Sequence, residues 1–148
     1  MGPTDARRRW MSVLALASAA ELEAHWQAVG ERPSHRVLRR PETGLVMVRG
    51  RAGGTGIRFN VGEATVTRCA VELTQGTVGV AYVRGRDHRH AELAALLDAL
   101  LQDPARRDEL ERSVIQPLAE AHAARRRAAA ERVAPTKVEF FTLVRGDE

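Results

Sequence analysis

The stretch TVTRCAVELTQGTVGVAY, running from Thr65 to Tyr82, decides the fold class. Thr65, Thr67, Cys69, Val71 and Leu73 share one face of an extended chain, with Val66, Arg68 and Ala70 on the other. Gln75-Gly76 then makes a turn, and Val78, Val80 and Tyr82 continue the alternation. A period of two broken only by a tight turn means neighbouring antiparallel strands. Parallel strands would need a crossover of a dozen or more residues.

Working outward, Val37 to Arg40 reads as a short strand, Pro41 to Gly44 as a turn and Leu45 to Val48 as a return strand. Ile57, Phe59 and Val61 alternate in the later half of the glycine-rich segment from Arg49 to Gly62. Together these pieces predict a meander of about four strands. Upstream, Trp10, Val13, Leu14 and Ala17 form one helical stripe. Ser18 with Glu21 is a capping box that opens a second helix, striped by Leu22, Trp26 and Val29 and closed by Gly30.

Downstream, Gly85-Arg86-Asp87 ends the meander, and Asp87 or His88 caps a helix with the stripe Leu93, Leu96, Leu97, Leu100 and Leu101. Asp103-Pro104 breaks that helix, and Pro117 interrupts the next with a kink or a fresh start. Residues 118–132 predict a solvated or partner-covered helix that Pro135 stops. Val138 to Val144 predicts a last strand, apolar on both faces, that inserts into the meander or is buried by another chain. The expectation is therefore an α+β fold in one domain, residues 1–148. Two N-terminal helices precede an antiparallel sheet of four to five strands, counting the C-terminal one, with two or three helices before that last strand.

Composition narrows function. At 148 residues the chain can bury ~68–70% of its unfolded surface. No apolar run reaches the ~20 residues that cross a bilayer, and the alanine-rich Met11–Ala20 does not read as a signal peptide. A cytoplasmic location without membrane insertion is expected. One cysteine, Cys69, excludes an internal disulfide and an all-thiolate zinc site. Lys137 is the sole lysine among 23 basic residues, and the net charge is +4. Arginine's planar fork suits carboxylates and phosphates. An aromatic content of 4% gives too few platforms to stack bases, so no nucleic acid is expected as partner.

Two segments could carry chemistry. In Arg49 to Arg58, the glycines Gly53, Gly54 and Gly56 with Thr55 could curl backbone N–H groups around an oxyanion, and Arg51 and Arg58 could add guanidinium contacts. The alternative is a plain turn, since no Gly-Lys-Ser/Thr follows. The second segment, Gly85 to Glu92, places His88 and Glu92 four apart on a helix face, with His90 nearby. That is a candidate metal site without a third nameable ligand, and a capped helix start accounts for it as well. Trp10 and Trp26 read as core or interface anchors, and Arg68 as an interface charge or a snorkelling edge residue. Phe140 and Phe141 join the interface candidates. No catalytic residue can be named.

Several words in order carry a resemblance. They are Trp10-Met11-Ser12-Val13-Leu14-Ala15, Glu42-Thr43-Gly44-Leu45-Val46, Gly53-Gly54-Thr55-Gly56 with Arg58-Phe59, Gly62 to Arg68, Gly85-Arg86-Asp87 with His90-Ala91-Glu92, and Val138 to Gly146. Together they resemble PhnG, the small subunit of the bacterial carbon–phosphorus lyase core complex. The resemblance implies a cytoplasmic subunit of a two-fold hetero-oligomer with PhnH-, PhnI- and PhnJ-type partners and an ATP-binding-cassette partner. Such a complex makes α-D-ribose 1-methylphosphonate 5-triphosphate by displacing adenine from MgATP with an alkylphosphonate. The resemblance assigns displacement to the PhnI-type subunit and radical carbon–phosphorus cleavage to the PhnJ-type subunit with its iron–sulfur cluster. It implies no cofactor on this chain alone and a mainly structural role, and Cys69 alone could not ligate a cluster. A chain of this kind is expected to be unstable or self-associating without its partners. The competing expectations are an autonomous nucleotide- or phosphate-binding enzyme using residues 49–58 with His90 as acid/base, and a nucleic-acid module.

Overall fold

A computed structural model describes residues 2–30, 32–51 and 56–133. The order of elements is α1 (Pro3–Leu16), α2 (Ala19–Val29), β1 (His35–Gly50), β2 (Phe59–Leu73), β3 (Val78–Arg84), α3 (His88–Leu101), α4 (Pro104–Leu110) and α5 (Gln116–Val133). A π-helical turn at Glu111–Ile115 joins the last two. The α+β class and the antiparallel meander are as the sequence predicts. The strand count is not: the described sheet has three strands, ordered β1-β2-β3. The strand expected at Val138 to Val144, with Phe140 and Phe141, lies outside the described residues.

The difference arises at Pro41. The Pro41–Gly44 turn does not form, and the two short strands around it are one long edge strand, β1. Arg40 and Pro41 lie in a register shift between the pairs Arg39↔Ala70 and Glu42↔Arg68. A bulge on an edge strand asks nothing of the missing proline N–H. Likewise Phe59 and Val61 of the predicted alternation, though not Ile57, belong with Thr65–Leu73 to one strand, β2, because Gly62 pairs with Val48 rather than turning the chain. The predicted Gln75-Gly76 turn does form, with Gly76 at φ +88°.

α3 lies under the sheet and is the centre of the core. It is buried nearly all round, from His90 and Ala91 through Leu93–Leu101, because β2 and β3 cover one side and α1 and α2 the other. Its closest approach is at Gly79, where an added Cβ would stand 2.0 Å from the Ala95 carbonyl oxygen and 2.7 Å from the Ala99 nitrogen. That proximity selects which face of β3 turns inward. The small set Gly79, Ala81 and Val83 is buried, whereas Val78 and Tyr82 are exposed.

The helix signals translate directly. Ser18 and Glu21 close their capping box in both directions, and Gly30 ends α2 at φ +72°. Asp87 caps α3 by accepting from the His90 N–H at 2.9 Å. The disturbance expected at Pro117 takes the form of the π-helical turn just before it, a rare element that occurs mostly as a single turn inside a helix. α5 buries Leu118 and is exposed from residue 123 to its end.

Candidate functional site

The glycine–arginine segment sits at the tip of the β1–β2 ribbon. Arg51 donates from Nη1 to the Gly56 carbonyl at 2.8 Å, which ties the two sides of the tip together. Gly56 has φ +101°, a conformation that favours glycine. Arg51, Gly56 and Arg58 are all exposed. Gly53, Gly54 and Thr55 lie outside the described residues, so the proposed oxyanion cradle is represented only by its flanks.

The histidine segment does not converge. His90 is buried, and its Nε2 donates to the Leu14 carbonyl at 2.7 Å, which ties the start of α3 to α1. His88 turns outward, with Nε2 3.2 Å from Thr43 Oγ1. Glu92 accepts from Arg89 at 3.0 Å. Among the described residues no three histidine, cysteine or carboxylate side chains come together as a metal site would require. The reading of His90 as a free acid/base is corrected, since its ring is enclosed and engaged with backbone.

Both tryptophans are correspondingly inside this chain and not at its surface. Trp10 Nε1 donates to Asp98 Oδ1 at 2.9 Å, and the Arg107 guanidinium stands 5.6 Å from its ring centre. Trp26 is covered in the same way by Arg32 at 5.1 Å. Their apolar area is satisfied by α3, so as anchors they serve the core. Arg68 stays on the outer face of β2, where its Nε meets Glu42 Oε1 at 2.6 Å. Arg39 reaches the same carboxylate at 2.6 Å. Arg39 first and then Arg68 hold the Glu42 carboxyl below its ordinary value.

Two features were not anticipated. The first is Asp98, a carboxylate with no solvent exposure in the middle of the leucine helix. It accepts from Arg7 Nη2 at 2.8 Å, Arg7 Nε at 3.2 Å, Trp10 Nε1 at 2.9 Å and the Val80 N–H at 2.9 Å. Gln102 and Arg7 also donate to the Val78 carbonyl. These contacts close the outer edge of β3 at Val78 and Val80. A lone aspartate inside Leu96-Leu97-Asp98-Ala99-Leu100 is the sequence signal, since a buried carboxylate demands donors.

The second is the far half of the β1–β2 ribbon. β3 pairs only with Val66–Glu72, so among the described residues Phe59–Thr65 of β2 has β1 as its single neighbouring strand, with Thr65 at the boundary also accepting from the Gly85 N–H at 2.8 Å. Leu45 (64% exposed) and Met47 point to one face there, Val46 and Val48 to the other, and all four are exposed. Ile57, Phe59 and Val61 near the tip are exposed as well. The signal was present in the unbroken apolar run Leu45–Val48, which no one-sided sheet explains.

Chemically, the hydroxyl–imidazole contact of Thr43 Oγ1 with His88 Nε2 at 3.2 Å lies at the exposed start of α3, apart from the glycine–arginine tip. Burial pushes the Cys69 thiol up to about 11, so it stays protonated. The sequence model for the family described as phosphonate metabolism protein PhnG matches residues 5–146. A curated relative from Rhizobium meliloti (strain 1021), alpha-D-ribose 1-methylphosphonate 5-triphosphate synthase subunit PhnG, is 47% identical over 142 residues. That alignment covers 96% of this chain and 90% of the relative.

Proposed function

The chain belongs to the PhnG family, and from that premise we propose that it is a subunit of the carbon–phosphorus lyase core complex, contributing to α-D-ribose 1-methylphosphonate 5-triphosphate synthase activity. The observation that carries this reading is 47% identity to a named synthase subunit across nearly the whole of both chains. In the reaction proposed, an alkylphosphonate oxygen forms a bond to the anomeric carbon of MgATP's ribose and adenine leaves. PhnH-, PhnI- and PhnJ-type subunits and an ATP-binding-cassette protein are the proposed partners, in the cytoplasm. No helix among the described residues is long and apolar enough to cross a membrane.

Within such a complex this chain's role is assembly. Its titratable groups support that division. His90 and Asp98 are locked into the core, and Glu21, Glu23 and Glu42 are each engaged by arginine. The exposed guanidinium groups of Arg51 and Arg58 are what it can lend to an anion held by a neighbour.

Co-expression with the three partner subunits tests the reading. The four are expected to co-purify, and the complex together with its ATP-binding-cassette partner is expected to release adenine from MgATP and methylphosphonate. The Arg51→Ala/Arg58→Ala variant should assemble but form less product. Adenine release or ATP hydrolysis by the isolated chain would favour the autonomous enzyme instead. Retention of DNA that falls steeply with salt would favour a nucleic-acid module.

A further inference from the structure

We propose that the unsupported half of the β1–β2 ribbon, Leu45–Gly50 with Phe59–Thr65, is a docking arm held in a cleft of another subunit of the same synthase, with an apolar floor and carboxylates near the arm's tip. This rests on the subunit reading above and specifies where and by what chemistry the chain is held.

The arm is about 20 Å long, from the six steps of ~3.4 Å between Phe59 and Thr65 of β2. An isolated two-stranded ribbon is marginal in water and needs cover on a hydrophobic face. Here both faces are apolar and both are exposed, with Leu45 and Met47 on one and Val46 and Val48 on the other. The register shift at Val61 adds to this. Gly50 has no side chain, and a Cβ there would lie 2.6 Å from Val61 Cγ2, so the bare backbone leaves room for Val61 to fold across the ribbon. Contiguous exposed apolar surface of this kind marks an interaction site, unlike single scattered leucines.

The sheet's two edges point the same way. β3's outer edge is closed at Val78 and Val80 by Asp98, Gln102 and Arg7. Among the described residues, β1's outer edge has no strand beside it. Its first half carries Arg36, Arg39, Arg40 and Pro41, residues that discourage pairing. From Thr43 to Val48 no charge and no proline guards it. A neighbour's strand can therefore add there while its apolar side chains meet both faces of the arm.

Charge selects the occupant. The arm and the described part of its tip carry Arg49, Arg51 and Arg58 against a single carboxylate, Glu63. Among the described residues neither Arg49 nor Arg58 has an ion-pair partner. A second copy of this chain would set like charges against each other. A cleft with carboxylates at the tip complements them and steers association.

The test uses the full chain and the remaining synthase subunits. Leu45→Ser/Met47→Ser and Val46→Ser/Val48→Ser each remove one apolar face, and Arg49→Glu reverses one charge. Each apolar pair is expected to weaken binding to the partner subcomplex at least ten-fold while the far-ultraviolet circular dichroism of the isolated chain is unchanged. Arg49→Glu is expected to weaken it most at low salt. Hydrogen exchange on the wild-type protein gives an independent readout, with the amides of 45–50 and 59–65 gaining protection on assembly. If the wild type assembles and the apolar variants bind equally well, or the arm amides gain no protection, the arm proposal is overturned. Failure of the wild type itself to assemble would instead overturn the subunit reading. Loss of a wild-type homodimer, or of binding to anionic phospholipid vesicles, in the variants would assign the arm to those occupants and overturn the cleft.

Discussion

Replacing Asp98 with alanine is expected to destabilise the chain by about 4 kcal/mol. The carboxylate is wholly buried and accepts from the Trp10 indole N–H, the Val80 N–H and two nitrogens of Arg7. In the variant Trp10 and Val80 keep their donors in a place water does not reach, at about 1–3 kcal/mol each. Arg7 is about a third exposed and turns outward at small cost. The sum centres near 4 kcal/mol, a large part of the ~5–15 kcal/mol by which domains are stable. At about 2–4 °C per kcal/mol for a domain of this size, the melting temperature falls by roughly 8–16 °C. Asp98→Asn is expected to fall between, because its amide retains an acceptor for Trp10 but turns a donor toward the Val80 N–H or Arg7. Urea unfolding followed by Trp fluorescence reads all three proteins. A loss under about 1 kcal/mol for Asp98→Ala would refute the argument that this carboxylate organises the junction of α1, α3 and β3.

Two further outcomes are expected. Gly79→Ala places a Cβ 2.0 Å from the Ala95 carbonyl oxygen, an atom of rigid helix backbone. It should lower stability at least as much as a typical overpacked core change, about 1–3 kcal/mol, and a melting temperature equal to wild type would show that α3 can shift freely. Cys69 is held up at about 11 from an ordinary 9.0 by burial, so the unfolded chain releases this proton first. Stability is therefore full below about 9 and declines as pH rises from there through about 11. Denaturation midpoints at pH 8 and pH 11 should converge between wild type and Cys69→Ala as pH rises, and a constant difference would contradict the burial argument.

What could be read from the sequence was local. The Ser18–Glu21 box, Gly30, the Gln75-Gly76 turn and the cap at Asp87 or His88 each depend on three or four adjacent residues; the first three form as read, and Asp87 is the residue that caps α3. What could not be read depended on neighbours far along the chain. Pro41-Glu42-Thr43-Gly44 has the composition of a turn. Opposite a 15-residue partner strand it continues as a bulged edge. His90 has the look of a ligand until α1 brings the Leu14 carbonyl to 2.7 Å. The tryptophans could have faced a partner, and the helix that covers them decided otherwise. Of the candidate residues, Arg51, Gly56, Arg58, Arg68 and His88 remain at the surface.

The expectation that this chain is incomplete therefore moves from its core to its ribbon. α3 is enclosed by α1, α2 and the sheet, Asp98 has its donors, and no buried side-chain nitrogen or oxygen among the described residues lacks a partner. A core satisfied in this way does not need the outer half of β1 and β2 for its own folding. Folding stability then places little demand on Leu45–Val48, and apolar side chains there lower the chain's solubility unless something covers them. Selection for the isolated chain would replace them with polar residues at almost no structural cost. Their presence, beside Arg49 and Arg58 with no ion-pair partner among the described residues, is what a surface shaped by a neighbour looks like. This separation also predicts how damage divides: lesions at Asp98 or Gly79 lower the stability of the chain, whereas lesions in the arm leave its folding intact and weaken its hold on the complex.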